Sequence, residues 1–150
     1  MAKFAIIAVD YERHVPRQGM IKGITSLANQ TFKDFEIVIC HDGPKHTPYE
    51  NEIDFDALGL KPHIINTPYQ MHDWGHHSRD MAMRYAYDNL PDCDYYIQFN
   101  IDNYFEPYAL DLINQEIEKD NIGILIFSVR HWKATGGAVF WGVPPIYSNI

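Results

Sequence analysis

Three short apolar runs in this chain each break off at polar residues that include an aspartate. Phe4-Ala5-Ile6-Ile7-Ala8-Val9 runs into Asp10, and Phe35-Glu36-Ile37-Val38-Ile39-Cys40 runs into His41-Asp42. Tyr95-Tyr96-Ile97-Gln98-Phe99 runs into Asn100-Ile101-Asp102-Asn103. Runs of this length, rich in β-branched and aromatic residues, read as buried strands. Between them apolar residues recur at helical spacing: Met20, Ile24, Leu27 and Ala28 after Pro16, and Met81, Met83, Tyr85 and Ala86 within 76–90. Leu110, Ile113 and Ile117 follow Pro107, which is placed to open a helix. A third short strand is expected at His63–Asn66, a short helix near 50–58, and a last strand at 122–129. Alternating strands and helices predict an α/β fold, a mainly parallel sheet with helices on both faces. That arrangement brings Asp10, Asp42 and Asp102 to one edge, where open α/β sheets hold their ligands.

The function classes narrow from here. A length of 150 residues suits one domain. The net charge of −8 argues against nucleic-acid binding through a basic surface. An acidic protein still binds a nucleotide when a metal neutralises part of the phosphate charge. Cys40 and Cys93 make no disulfide framework, and no apolar run reaches membrane-spanning length or has a signal-peptide pattern. A cytoplasmic location is expected. No G-x-G-x-x-G follows the first strand, which disfavours a dinucleotide site.

Asp102 is the residue with the most chemistry. A carboxylate flanked by Asn100 and Asn103 at a strand end suits Mg²⁺ or Mn²⁺, which takes one or two carboxylates plus substrate phosphates. The same residues serve equally well as plain turn formers. His72, His76 and His77 raise a zinc site, but the zinc helix motif needs a Glu where Asp73 stands, and no cysteine lies near.

Several segments carry a longer pattern. Ile6 to Arg13 ends much like P-T-Y-N-R, with Val9 in place of the proline. Ser26 to Ile37 follows S-x-x-x-Q-T-x-x-x-F-E-I. Cys40-His41-Asp42-Gly43 stands where D-D-G-S is expected, with His41 for the first acid. Gly75 to Met83 resembles G-x-x-x-A-R-N-x-G with one residue fewer after the glycine, Arg79-Asp80 standing for R-N. Asn100-Ile101-Asp102-Asn103, followed by Pro107, is placed like D-x-D, with Asn100 for the first acid. In this order, over roughly residues 4 to 130, the chain resembles the family 2 glycosyltransferases, inverting enzymes of the Rossmann-like GT-A fold.

The resemblance implies a single nucleotide-sugar-binding domain and a transfer of sugar from a nucleotide diphosphate, UDP-type favoured, to a saccharide or other hydroxyl acceptor with inversion. It implies nucleotide contacts from Asp10, Tyr11, Asp42 and Arg79. Asp42 would accept from the base N3–H, Tyr11 would lie beside the base, and Arg79 would reach the diphosphate. Asp102, with Asn100 and Asn103 as weaker ligands, would hold Mn²⁺ or Mg²⁺. No residue stands out as the catalytic base. Relatives run on into an acceptor half, so part of that half is expected to be missing. The alternative is a non-catalytic nucleotide-sugar-binding module or a degenerate family member. The aromatic, Gly- and Pro-rich stretch 131–150 resists assignment; a strand at Ala138–Trp141 is placed to add to a sheet edge, and the tail is expected either to pair with another copy of the chain or to be mobile.

Overall fold

The computed structural model describes residues 2–11, 15 and 17–119, together with the backbone of two later strands. The elements keep to the expected alternation. They are β1 (Phe4–Asp10), α1 (Arg17–Ala28), β2 (Phe35–His41), β3 (His63–Asn66), α2 (His76–Asn89), β4 (Tyr95–Asn100), α3 (Ala109–Lys119), β5 (Val129–Trp132) and β6 (Ala138–Trp141). The chain divides into two compact units, Met1–Asp111 and Leu112–Ile150.

The first unit is built on a four-stranded sheet in the order β3-β2-β1-β4. All three pairings are parallel. Pairing of Phe4 with both Phe35 and Tyr95, and of Val9 with both Cys40 and Asn100, sets the strand ends level. The chain moves outward from β1 to β2 and β3, then returns to the far side of β1 as β4. Right-handed crossovers put the two connecting helices on opposite faces for such an order. Residue parity agrees. Ala5, Ile7, Val38 and Cys40 form one cluster with Ala82 and Ala86 of α2. Their alternates Phe4, Ile6 and Ala8 face the other way and are equally buried, as are Met20, Ile24 and Leu27 of α1.

Gly23 shows how closely α1 approaches β4. A Cβ there would stand 2.1 Å from the Ile101 carbonyl oxygen and 2.6 Å from that of Asn103. The Ser26-to-Thr31 stretch adds hydrogen bonds to this close approach. Gln30 is buried; its Nε2 donates to the Ser26 and Glu106 carbonyls and its Oε1 accepts the Leu110 N–H. The Ser26 hydroxyl accepts the Phe105 N–H at 3.1 Å, and the Thr31 N–H reaches the Pro107 carbonyl at 2.7 Å. The segment after β4 is therefore pinned to the end of α1.

Some expectations fail locally. In place of a helix near 50–58 there is one 3-10 turn, Tyr49–Asn51, then turns closed by Gly59 at φ +67°. Asp54 spends its side chain on the Ala57 N–H, and a left-handed glycine stops further helix. Helix α3 starts at Ala109, two residues beyond Pro107.

In the second unit, α3 continues to Lys119 and β5 pairs antiparallel with β6, Val129 opposite Trp141 and Trp132 opposite Ala138. The expected strand at 122–129 lies outside the described residues except for Val129. The Ala138–Trp141 strand forms, with a partner in its own chain; the side chains of 131–150 lie outside the described residues.

Candidate functional site

Strands β1, β2, β3 and β4 end at Asp10, His41, Asn66 and Asn100, all at one edge. The chain reverses its progress across the sheet between β1 and β4, and that switch point opens a crevice outside the strand ends. The predicted residues gather here in two groups.

The first group surrounds Asp10 and Asp42, linked by an Asp42 N–H bond to the Asp10 carbonyl at 2.9 Å. Asp10 is fully buried. Arg17 Nη2 donates to its Oδ1 at 2.9 Å, and the Tyr49 hydroxyl to its Oδ2 at 2.7 Å. Glu52 completes the cluster, 3.2 Å from Arg17 Nη1 and 2.5 Å from Lys45 Nζ. Burial works to lower the Arg17 guanidinium, but the hydrogen bond and charge of Asp10 outweigh it and hold it above its ordinary value. Burial, then the Asp10 carboxylate, push the Tyr49 phenol far up. Asp10 thus has both oxygens committed within the protein and anchors the loop 43–52 against the start of α1. Tyr11 is half-buried, and its carbonyl accepts the Val15 N–H at 2.9 Å.

Asp42 differs. Its Oδ1 accepts the Met71 N–H at 3.0 Å and lies 3.3 Å from the Thr67 hydroxyl. Its Oδ2 takes no hydrogen bond from any described residue and is not among the buried unpaired oxygens. His41 points inward, its Nδ1 2.7 Å from the Gly43 carbonyl oxygen.

The second group lines an open cleft of about 560 Å³ between the start of α2 and the end of β4, with His76, Arg79, Met83, Gln98, Asn100 and Asn103 in its walls. Arg79 Nη2 donates to Asn100 Oδ1 at 2.6 Å and its Nη1 to the Trp74 carbonyl at 3.1 Å. The loop before α2 is held taut. His72, Trp74 and Gly75 have φ of +53°, +61° and +78°. Non-glycine residues pay strain in that region, and such strain collects at functional sites. Asp73 fixes the loop by accepting the Gly75 and His77 N–H groups at 3.1 and 2.8 Å. Trp74 itself is 92% exposed. Gly75 joins the two groups, since a Cβ there would come within 2.9 Å of Val9 Cγ1 at the end of β1.

Asp102 lies on the exposed turn 100–103, closed by the Asn103 N–H on the Asn100 carbonyl at 2.8 Å. Its carboxylate takes no hydrogen bond among the described residues, whereas the Asn100 amide oxygen is occupied by Arg79. No group of three or more His, Cys, Asp or Glu able to hold a metal occurs among the described residues, the three histidines near 72–77 included. Asp102 and Asn103 fit a hard cation shared with phosphates better than a cage built by protein alone.

Sequence reasoning did not pick out Arg17, Lys45, Tyr49 and Glu52, or Thr67 and the Met71 N–H. Only the polar end of β3 at Asn66-Thr67 signalled the last two.

No family model and no curated protein sequence matches the chain. Solved structures do. S. aureus TarS matches with a TM-score of 0.64 at 18% identity, over 78% of this chain and 20% of that one. TarS 1-349 in complex with UDP matches at 0.65 and 18% identity, over 80% and 33%. TarS 1-349 in complex with UDP-GlcNAc matches at 0.65 and 18% identity, over 80% and 32%. The chain spans a third or less of the length of these neighbours. No helix among the described residues is long and apolar enough to cross a membrane. Similarity of this kind identifies the fold, and the chain has the fold of the corresponding part of TarS.

Proposed function

We propose that the chain is the nucleotide-sugar-binding domain of a family 2 glycosyltransferase, which moves a sugar from a nucleotide diphosphate to an acceptor hydroxyl with inversion. The observation that carries this reading is the convergence of Asp42, Arg79 and the Asn100–Asn103 turn on one sheet edge at the β1/β4 switch point. Solved neighbours of the same fold were crystallised with UDP and UDP-GlcNAc, which supports it.

The roles are those the resemblance implies, and the chemistry of each group suits them. Asp42 Oδ2 accepts from a base N–H, with Tyr11 beside the base. Arg79, in the first turn of α2, meets the diphosphate together with the backbone N–H groups of that turn. Asp10 acts indirectly, by holding the loop that comes after Asp42. Asp102 and Asn103 would hold Mn²⁺ or Mg²⁺, whose charge would favour departure of the nucleoside diphosphate. Displacement at the anomeric carbon requires a general base for the acceptor proton, and no described residue is assigned that part.

Isothermal titration of the protein with UDP and with UDP-GlcNAc tests the reading. Saturable binding of both at one site is expected; heat from neither at millimolar ligand would remove it. The alternative of a non-catalytic binding module predicts the same binding with no turnover of donor in the presence of hydroxyl acceptors.

A further inference from the structure

The wall of the α2–β4 cleft carries two basic side chains, His76 and Arg79. They stand three apart in the first turn of α2, so they share one face of the helix. Across from them are the neutral amides Asn100 and Asn103. Among the described residues the one acid of the cleft is Asp80, and Arg84 Nε pairs with it at 2.8 Å from the next turn of α2. Arg17 and Lys45 are already committed to Asp10 and Glu52. His76 differs from them. It is exposed, and its imidazole makes no hydrogen bond or ion pair among the described residues; only its backbone is engaged, by the N–H on the Asp73 carbonyl at 3.3 Å.

The backbone of this turn cannot meet a diphosphate by itself. Asp73 already takes the Gly75 and His77 N–H groups at 3.1 and 2.8 Å, and its carboxylate faces the positive end of the helix. The neighbouring turn supplies little more. Asn100 is bound to Arg79, and Asp102 is the one carboxylate of 100–103. A hard cation held by a single carboxylate leans on the phosphates for its remaining ligands. In a chain of net charge −8, a diphosphate at this place therefore depends on the nearby side-chain cations.

We infer that His76 is a second ligand of the diphosphate, acting beside Arg79, so that part of the phosphate charge is met by the protein without any metal. The inference rests on the reading of this edge as a nucleotide site. An imidazole donates an N–H to a phosphate oxygen whether neutral or protonated, and adds a full charge when protonated. Arg79 offers a planar fork to other oxygens of the same group. The two residues are offset by about 4.5 Å along the axis of α2, a step on the scale of two linked phosphoryl groups. A residue that served only to hold the cation would lose its effect once the cation was removed. A residue that only shaped the loop would affect uridine and UDP alike.

The test is calorimetric titration of the wild type, His76→Ala, His76→Lys and Arg79→Ala with UDP and with uridine, in EDTA and again in Mn²⁺. In EDTA the wild type should still bind UDP more tightly than uridine. His76→Ala should weaken UDP by about tenfold or more, the scale of one hydrogen bond to a charged group, and leave uridine unchanged. His76→Lys, which keeps a cation and its N–H donors, should restore UDP. Unchanged UDP affinity in His76→Ala, beside a loss in Arg79→Ala, would overturn the inference and leave the nucleotide site standing. So would an equal loss for uridine, or an effect of His76→Ala seen only with Mn²⁺ present. Absence of binding by UDP and uridine to the folded wild type in both conditions would overturn the site reading and the inference with it.

Discussion

Arg79 reaches across the crevice from α2 to Asn100, donating from Nη2 to the amide oxygen at 2.6 Å. This bond occupies Asn100, the last residue of β4, and leaves Asp102 as the acid of that turn without a hydrogen bond among the described residues. It also aims the guanidinium at the cleft wall, where a diphosphate would displace or share it.

Arg79→Ala should therefore weaken UDP by roughly 1.5–3 kcal/mol, the range for hydrogen bonds to charged groups. Uridine, which has no phosphate, should bind as before. Titration of both ligands checks this, and an equal loss for uridine would mean that Arg79 shapes the fold and not the phosphate site.

Asp102 carries a second expectation. UDP should bind more tightly with Mn²⁺ present than with a chelator, and Asp102→Ala should erase the difference. Equal affinity of the wild type in both conditions would take Asp102 out of the metal role.

Gly23 lies against the carbonyls of Ile101 and Asn103. Gly23→Ala forces backbone apart, and overpacking of this kind costs about 1–3 kcal/mol. Urea unfolding should show the loss. The turn bearing Asp102 should move with it, so the Mn²⁺ enhancement of UDP binding should shrink as well. A variant with unchanged midpoint and unchanged enhancement would show that α1 does not set that turn.

Cys40 gives a pH expectation. Burial pushes its thiol up from 9.0 to about 11. The folded state holds this proton more tightly than the unfolded one, so the contribution is whole below pH 9.0 and is lost as pH climbs toward about 11. The Tyr49 phenol, raised by burial, acts in the same sense above its ordinary value. Denaturant midpoints of the wild type and Cys40→Ala should converge across that window; parallel curves would show that the thiol does not titrate there.

The strands were legible because burial on both faces writes itself as unbroken apolar runs. His63–Asn66 is found as expected, and β1, β2 and β4 each extend one residue past the apolar run. Strand-end polarity then foretold that Asp10, His41-Asp42 and Asn100 share one sheet edge. What escaped was whatever depends on long-range partners. Nothing local to Asp10 announces that Arg17, Tyr49 and Lys45 will enclose it. The split use of the Asp42 oxygens depends on a loop that begins 25 residues later at Thr67. The Ser26-to-Thr31 pattern was visible only as a resemblance, and its work as a clip on 105–110 emerges from the packing. The region near 50–58 misled because its apolar residues serve a capped turn ended by Gly59 and not a helix.

The most direct test of the central claim is a map of UDP binding on the folded protein. Backbone amide shifts in ¹⁵N-labelled protein, tracked by NMR through a UDP titration, would provide it. Shifts are expected at Tyr11, Asp42 and Gly43, at the Thr67 to Arg79 loop and helix start, and at Asn100 to Asn103. The contradicting result is no shift at saturating ligand, or shifts confined to the opposite edge of the sheet around Lys33, Glu36 and Lys61, where a smaller pocket of about 280 Å³ lies.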